Sequence, residues 1–157
     1  MTTIKSKQFQ YTEDGHLILM TPEERNLLIT DLVARINYGV ICMIKRVDDF
    51  GPMIRNEKLT GFYYTDDKGH FSFDFSCGLD VSFAEKVKPY LRPLSSMTED
   101  EERELRILWN EDFVSKESLY HCYPRTLEFY LSHHFDYLGL IQKGLAIEVT
   151  EENNPYA

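Results

Sequence analysis

The chain has 157 residues, 43% hydrophobic and 13% aromatic, which is enough apolar material for a packed core and more than a disordered chain carries. Seventeen Lys and Arg against 26 Asp and Glu leave a formal charge of −9, which disfavours direct nucleic-acid binding or a seat on an anionic membrane. No apolar run approaches the ~18 residues of a spanning helix, the first residues lack the apolar stretch of a secretion signal, and three scattered cysteines suit a reducing compartment, so one cytoplasmic domain over residues 1–157 is expected.

In chain order, residues 1–20 read as an N-terminal β-hairpin extension: Phe9 and Tyr11 alternate with Gln8 and Gln10, Asp14-Gly15 makes the turn, and Leu17–Met20 returns. Thr21-Pro22-Glu23-Glu24 opens a helix predicted to reach Asn37, with Thr21 as cap, Pro22 in the first position and Glu24 closing a capping box. Leu28, Ile29, Leu32, Val33 and Ile36 form its apolar face, and Gly39 is placed to end it. Val40–Val47 reads as a buried strand, followed by a turn over Asp48–Pro52. Leu59–Thr65 and His70–Cys77 pair around Asp66-Asp67-Lys68-Gly69. Phe71, Phe73, Phe75 and Cys77 alternate there with Ser72, Asp74 and Ser76, giving an aromatic inner face.

Pro89 and Pro93 argue against a central strand over Val87–Leu94, which reads as an extended edge or crossing segment. A second capping box at Thr98–Glu101 opens a helix with the stripe Leu105, Leu108, Trp109 and Phe113. A third helix starts near Pro124, with Leu127, Tyr130, Leu131 and His134 at helical spacing. Leu145, Ile147 and Val149 alternate as a last strand, and residues 151–157 read as a frayed polar tail. The order predicts an α+β fold: a small, curled, SH3-like antiparallel sheet of about five strands covered by about three helices.

Chemistry-bearing patterns are sparse. The five histidines form no metal-binding motif with Cys or with each other, no glycine-rich phosphate cradle is present, and no cofactor is expected. Cys42 and Cys77 fall on apparent core faces. The acidic pairs Asp48-Asp49 and Asp66-Asp67 belong to turns, and Glu99–Glu102 belongs to a helix N-terminus. Only His121, Cys122, His133 and Asp136 combine the residue types of a small hydrolase-type site.

Three stretches carry a resemblance: Leu27–Val40, Val87–Thr98 (VKPYLRPLSSMT) and His133–Ala146 with its HHFDY start. Together they resemble a family of small uncharacterised proteins encoded by gut Bacteroidales and by their phages and mobile elements. The resemblance runs from about Thr21 to Val149, treats the leading hairpin as an addition, and shows Leu138 where the pattern carries Arg. It implies no catalytic residues. Tyr90, Arg92, Phe135 and Tyr137 in these marked strings are the candidate interaction surface. The expectation is a non-enzymatic interaction module of a phage or mobile element that binds a host protein, with a small enzyme or a homo-oligomeric structural protein as alternatives.

Overall fold

The computed structural model describes residues 21–48, 51–65, 70–78, 80–81, 86–114 and 124–157. The expected hairpin over residues 1–20 lies outside the described residues. Helix α1 (Pro22–Arg35) begins as its sequence dictates: the Thr21 hydroxyl accepts the Glu24 amide at 3.2 Å and Pro22 occupies the first turn. The last turn tightens into a 3-10 segment at Ile36–Tyr38, and Gly39 leaves the helix with φ 71°, an angle a side chain would strain. The inward face is not quite the expected one. Leu28 and Leu32 are fully buried, each contributing about 1.5–3 kcal/mol. Asp31 and Arg35 are equally buried, whereas Ile29, Val33 and Ile36 are only half-buried.

Among the described residues six strands follow: β1 (Ile41–Asp48), β2 (Gly51–Thr65), β3 (His70–Phe75), β4 (Asp80–Val81), β5 (Val87–Leu91) and β6 (Ile147–Glu148). They lie in the order β4-β3-β2-β1-β5-β6. The β2–β3 hairpin forms in the expected place, with Thr65 opposite His70. Strand β2 starts earlier than its apolar run, because Gly51–Lys58 pairs along the whole of β1. That half of β2 is half-buried or exposed on both faces, so its polar residues remain in water and carry no strand-like alternation.

Three further expectations are corrected. The Val87–Leu91 segment is an interior strand: it runs antiparallel to β1 and parallel to β6, so the sheet is mixed. Pro89 is tolerated because β6 pairs only from Tyr90 onward, and its missing donor breaks no bond on that side. The parallel partner arises because two helices intervene between β5 and β6. Cys77 is exposed, since β3 ends at Phe75 and the chain turns before the alternation can continue. Ser72 on the supposed outer face is fully buried.

Helix α2 (Glu99–Val114) carries a complete capping box: the Glu101 amide donates to the Thr98 hydroxyl at 3.2 Å, and the Thr98 amide donates to the Glu101 carboxylate at 2.8 Å. It leans on α3 (Pro124–Ser132), and α3 in turn meets α1. The main core joins Leu28 and Leu32 of α1 to Val40, Cys42, Ile44, Leu59, Phe73, Phe75, Val87 and Leu91 of the sheet and to Leu140, Leu145 and Ala146 of the closing turns. The sheet is therefore covered by α1 and the C-terminal turns, with α2 outside them on α3. Residues 151–157 are not frayed. The Tyr156 hydroxyl donates to the Tyr90 carbonyl at 2.8 Å and accepts the Ile41 amide at 3.1 Å, pinning the tail across β1 and β5.

Candidate functional site

Of the four residues expected to form an interaction surface, Arg92 and Phe135 meet, whereas the Tyr90 hydroxyl donates to Asn56 and Tyr137 stacks on Tyr130. Phe135 is fully buried, Tyr90 is 7% exposed, and Arg92 and Tyr137 are half-buried. The seam between Arg92 and Phe135 explains their place. The Arg92 amide donates to the His134 carbonyl and the Arg92 carbonyl accepts the Asp136 amide, both at 2.8 Å, so the end of β5 runs beside residues 134–136. The Arg92 guanidinium lies 4.3 Å from the centre of the Phe135 ring and grips Glu101 through two bonds of 2.8 and 2.9 Å. A third bond, 3.2 Å to the Ser96 carbonyl, closes the turn before α2. Hydrogen bonds from Arg92 and from the Thr98 amide hold the Glu101 carboxyl down at about 2. Arg92 therefore fixes where α2 starts and which way it points.

Beneath the seam lies a buried polar cluster that the sequence did not announce. The Arg35 Nε donates to Asp31 at 2.8 Å and a second guanidinium nitrogen donates to the Phe135 carbonyl at 2.6 Å. Burial raises the Asp31 carboxyl above its usual range, against the pull of Arg35. One Asp31 oxygen, one Arg35 nitrogen and the His134 Nδ1 are enclosed without a hydrogen-bond partner. His134 adopts φ 60° and stacks on Tyr156 with ring centres 3.9 Å apart. Burial, with Arg35, Arg92 and His133 adding positive charge nearby, lowers it to about 4, so it is neutral at physiological pH. Burial pushes the Cys42 thiol far above its ordinary value, which leaves it unreactive. These groups tie α1 to the 134–136 turn and to the tail.

The hydrolase-type quartet fares unevenly. His121 and Cys122 lie outside the described residues. Asp136 spends its carboxylate on the amides of Leu140 and Ile141, at 2.8 and 2.9 Å, organising the turn that follows. His133 holds the Phe129 carbonyl through Nδ1 at 2.9 Å and packs its ring on Phe129 and Phe135. A carbonyl only accepts, so Nδ1 carries the proton. Both side chains thus serve local structure. Among the described residues no three His, Cys, Asp or Glu side chains stand close enough to share a metal ion.

Among the described residues, a groove of about 430 Å³ opens between α2, α3 and the turn preceding α2. Glu102, Leu105, Arg106 and Trp109 line it from one stripe of α2, Tyr130 lines it from α3, and Leu94 and Met97 close the end nearest Arg92. Trp109 is 65% exposed and Leu94 46%. Tyr130 is held in place by stacking on Tyr137 at 5.7 Å. The sequence puts Trp109 in a helical stripe with Leu105, Leu108 and Phe113, and periodicity cannot tell a stripe that meets the core from one that meets water. No family model, curated protein or solved structure matches the chain. Among the described residues no helix is long and apolar enough to cross a membrane.

Proposed function

We propose that this chain is a non-enzymatic protein-interaction module and that its partner seats in the groove beside Trp109. One observation carries the reading: the chain's single tryptophan stands in water over Leu94, Met97, Leu105 and Tyr130, while the α2 that bears it is clamped by Arg92. Tryptophan and tyrosine at the centre of a pocket are the residues that dominate binding energy at interfaces. Holding them on a rigid frame lowers the ordering cost of association. Assignment of the module to a phage or mobile element, acting in the cytoplasm of a bacterial host on a host protein, is part of the proposal and is supported by the family resemblance alone. The curl of the sheet toward an SH3-like form, with the hairpin of residues 1–20 added to it, belongs to the same proposal. The engaged carboxylate of Asp136 speaks for this reading over a hydrolase built on His133 and Asp136.

A photo-crosslinking residue at position 109, compared with one at the exposed Lys143, tests the proposal in cells. The expected result is one dominant adduct with a different protein from position 109, absent from position 143 and lost when Leu105→Glu is added. Equal adducts from both positions overturn it, and so does an adduct made only with a second copy, which would instead support the homo-oligomeric alternative.

A further inference from the structure

Away from the groove, we infer that the buried cluster between α1 and the 134–136 turn is a binding site for an internal water molecule, which accepts a hydrogen bond from Arg35 Nη1 and donates one each to Asp31 Oδ1 and His134 Nδ1. These three atoms are enclosed without a hydrogen-bond partner among the described residues. They meet at one place. Arg35 is bonded to Asp31 through Nε at 2.8 Å and to the Phe135 carbonyl at 2.6 Å, and Phe135 adjoins His134 in the chain. Tyr137 closes one side, with its ring centre 5.5 Å from Arg35 Cζ. Tyr156 closes another by stacking on His134, its hydroxyl fixed by Ile41 and Tyr90.

The chemistry of these atoms selects the occupant. A guanidinium nitrogen only donates, a carboxylate oxygen only accepts, and a neutral imidazole accepts through the nitrogen that lacks a hydrogen. One donor and two acceptors are the complement of a water molecule with one lone pair and both hydrogens engaged, and buried waters make about three such bonds. An anion would meet the Asp31 carboxylate, a cation would meet the Arg35 guanidinium, and an apolar group would leave all three atoms unsatisfied. Asp31 and Arg35 are each 0% exposed, so bulk solvent does not reach them. The bridge also supports a costly piece of backbone. His134, with φ 60°, is the one residue other than glycine at positive φ among the described residues, and a bond through water from its ring to α1 holds that conformation in place.

A high-resolution crystal structure of the whole chain reads the site directly. The expected result is a single density peak within hydrogen-bonding reach of all three atoms, roughly 2.7–3.2 Å. A dry site, density for an ion, or a direct bond between any two of the three atoms overturns the inference. Nitrogen NMR of the histidine rings at neutral pH gives a second reading that needs no variant. His134 should carry its proton on Nε2, opposite to His133, whose Nδ1 proton is held by the Phe129 carbonyl. A proton on His134 Nδ1 would contradict the arrangement, because that nitrogen could no longer accept. Magnetic relaxation dispersion of water oxygen, which counts long-lived internal waters, supplies the third. The double variant Asp31→Leu with Arg35→Met removes the donor and one acceptor and should lose one such molecule relative to the parent. An unchanged count in the folded double variant would refute the site.

Discussion

Replacing Arg35 with alanine should be among the most damaging single changes available in this fold. The side chain is fully buried, and it neutralises Asp31 at 2.8 Å while donating to the Phe135 carbonyl at 2.6 Å. Removing one partner of a buried ion pair costs about 3–5 kcal/mol, because the other charge stays in the interior without compensation. For a chain of this size each kcal/mol moves Tm by about 2–4 °C, so Arg35→Ala should lower it by roughly 6–20 °C. The control is the double variant Asp31→Leu with Arg35→Met. It removes both charges, keeps the volume and leaves the Phe135 carbonyl as the main unpaired group, a loss of about 1–3 kcal/mol. Urea unfolding followed by circular dichroism on the parent, Asp31→Leu, Arg35→Met and the double gives the coupling directly. The double should be more stable than Arg35→Ala. A double variant whose loss equals the sum of the two singles, or a single variant that costs under about 0.5 kcal/mol, would refute the assignment of Asp31 and Arg35 as a coupled interior pair.

Tyr156→Phe removes one hydroxyl and leaves the Ile41 amide and the Tyr90 carbonyl without it, so a loss of about 1–3 kcal/mol in urea unfolding is expected; a variant as stable as the parent would show that the tail does not brace β1 and β5. His134, facing Arg35, Arg92, His133 and Tyr156, has its folded value lowered from 6.5 to about 4, so the unfolded chain takes up the proton first. Stability from this residue is therefore complete above 6.5 and declines as pH falls toward 4, by about 1 kcal/mol between pH ~7 and pH ~5 after allowance for solvent screening of a half-buried ring. His134→Asn, which tolerates the positive φ, should flatten that part of the profile, and an unchanged slope would count against the assignment. In thiol labelling of the native chain, Cys77 should react and Cys42 should stay protected; modification of both at similar rates would contradict the packing of β1.

The parts of the fold legible in the sequence are those written in local chemistry. Thr21, Pro22 and Glu24, then Thr98 and Glu101, mark helix starts because a cap involves residues three apart. The β2–β3 hairpin is written in the alternation of Phe73 and Phe75 with Asp74. The first half of β2 carries no such signal, since no residue of Gly51–Lys58 is fully buried. Asp31 and Arg35 were hidden by the habit of sending charges outward, although positions 28, 31, 32 and 35 are the inward stripe of a helix and an acid four residues before a base can neutralise itself there. Tyr156 reaches residues 66 and 115 positions away, and nothing local marks a tyrosine in a polar tail as an anchor. The Arg92–Glu101 pair is not legible because local spacing marks Glu101 only as the closing residue of a capping box. The same carboxylate performs both tasks.

The exposure of Trp109 is the premise on which the interaction groove stands, and one tryptophan in the chain makes it measurable without interference. Steady-state emission and acrylamide quenching of the purified, dilute chain should show a water-like spectrum and quenching close to that of a free indole, as a side chain 65% exposed demands. A blue-shifted emission that resists quencher at every dilution would mean that the groove is already filled by the chain itself, and the account of this surface as a docking site would be wrong.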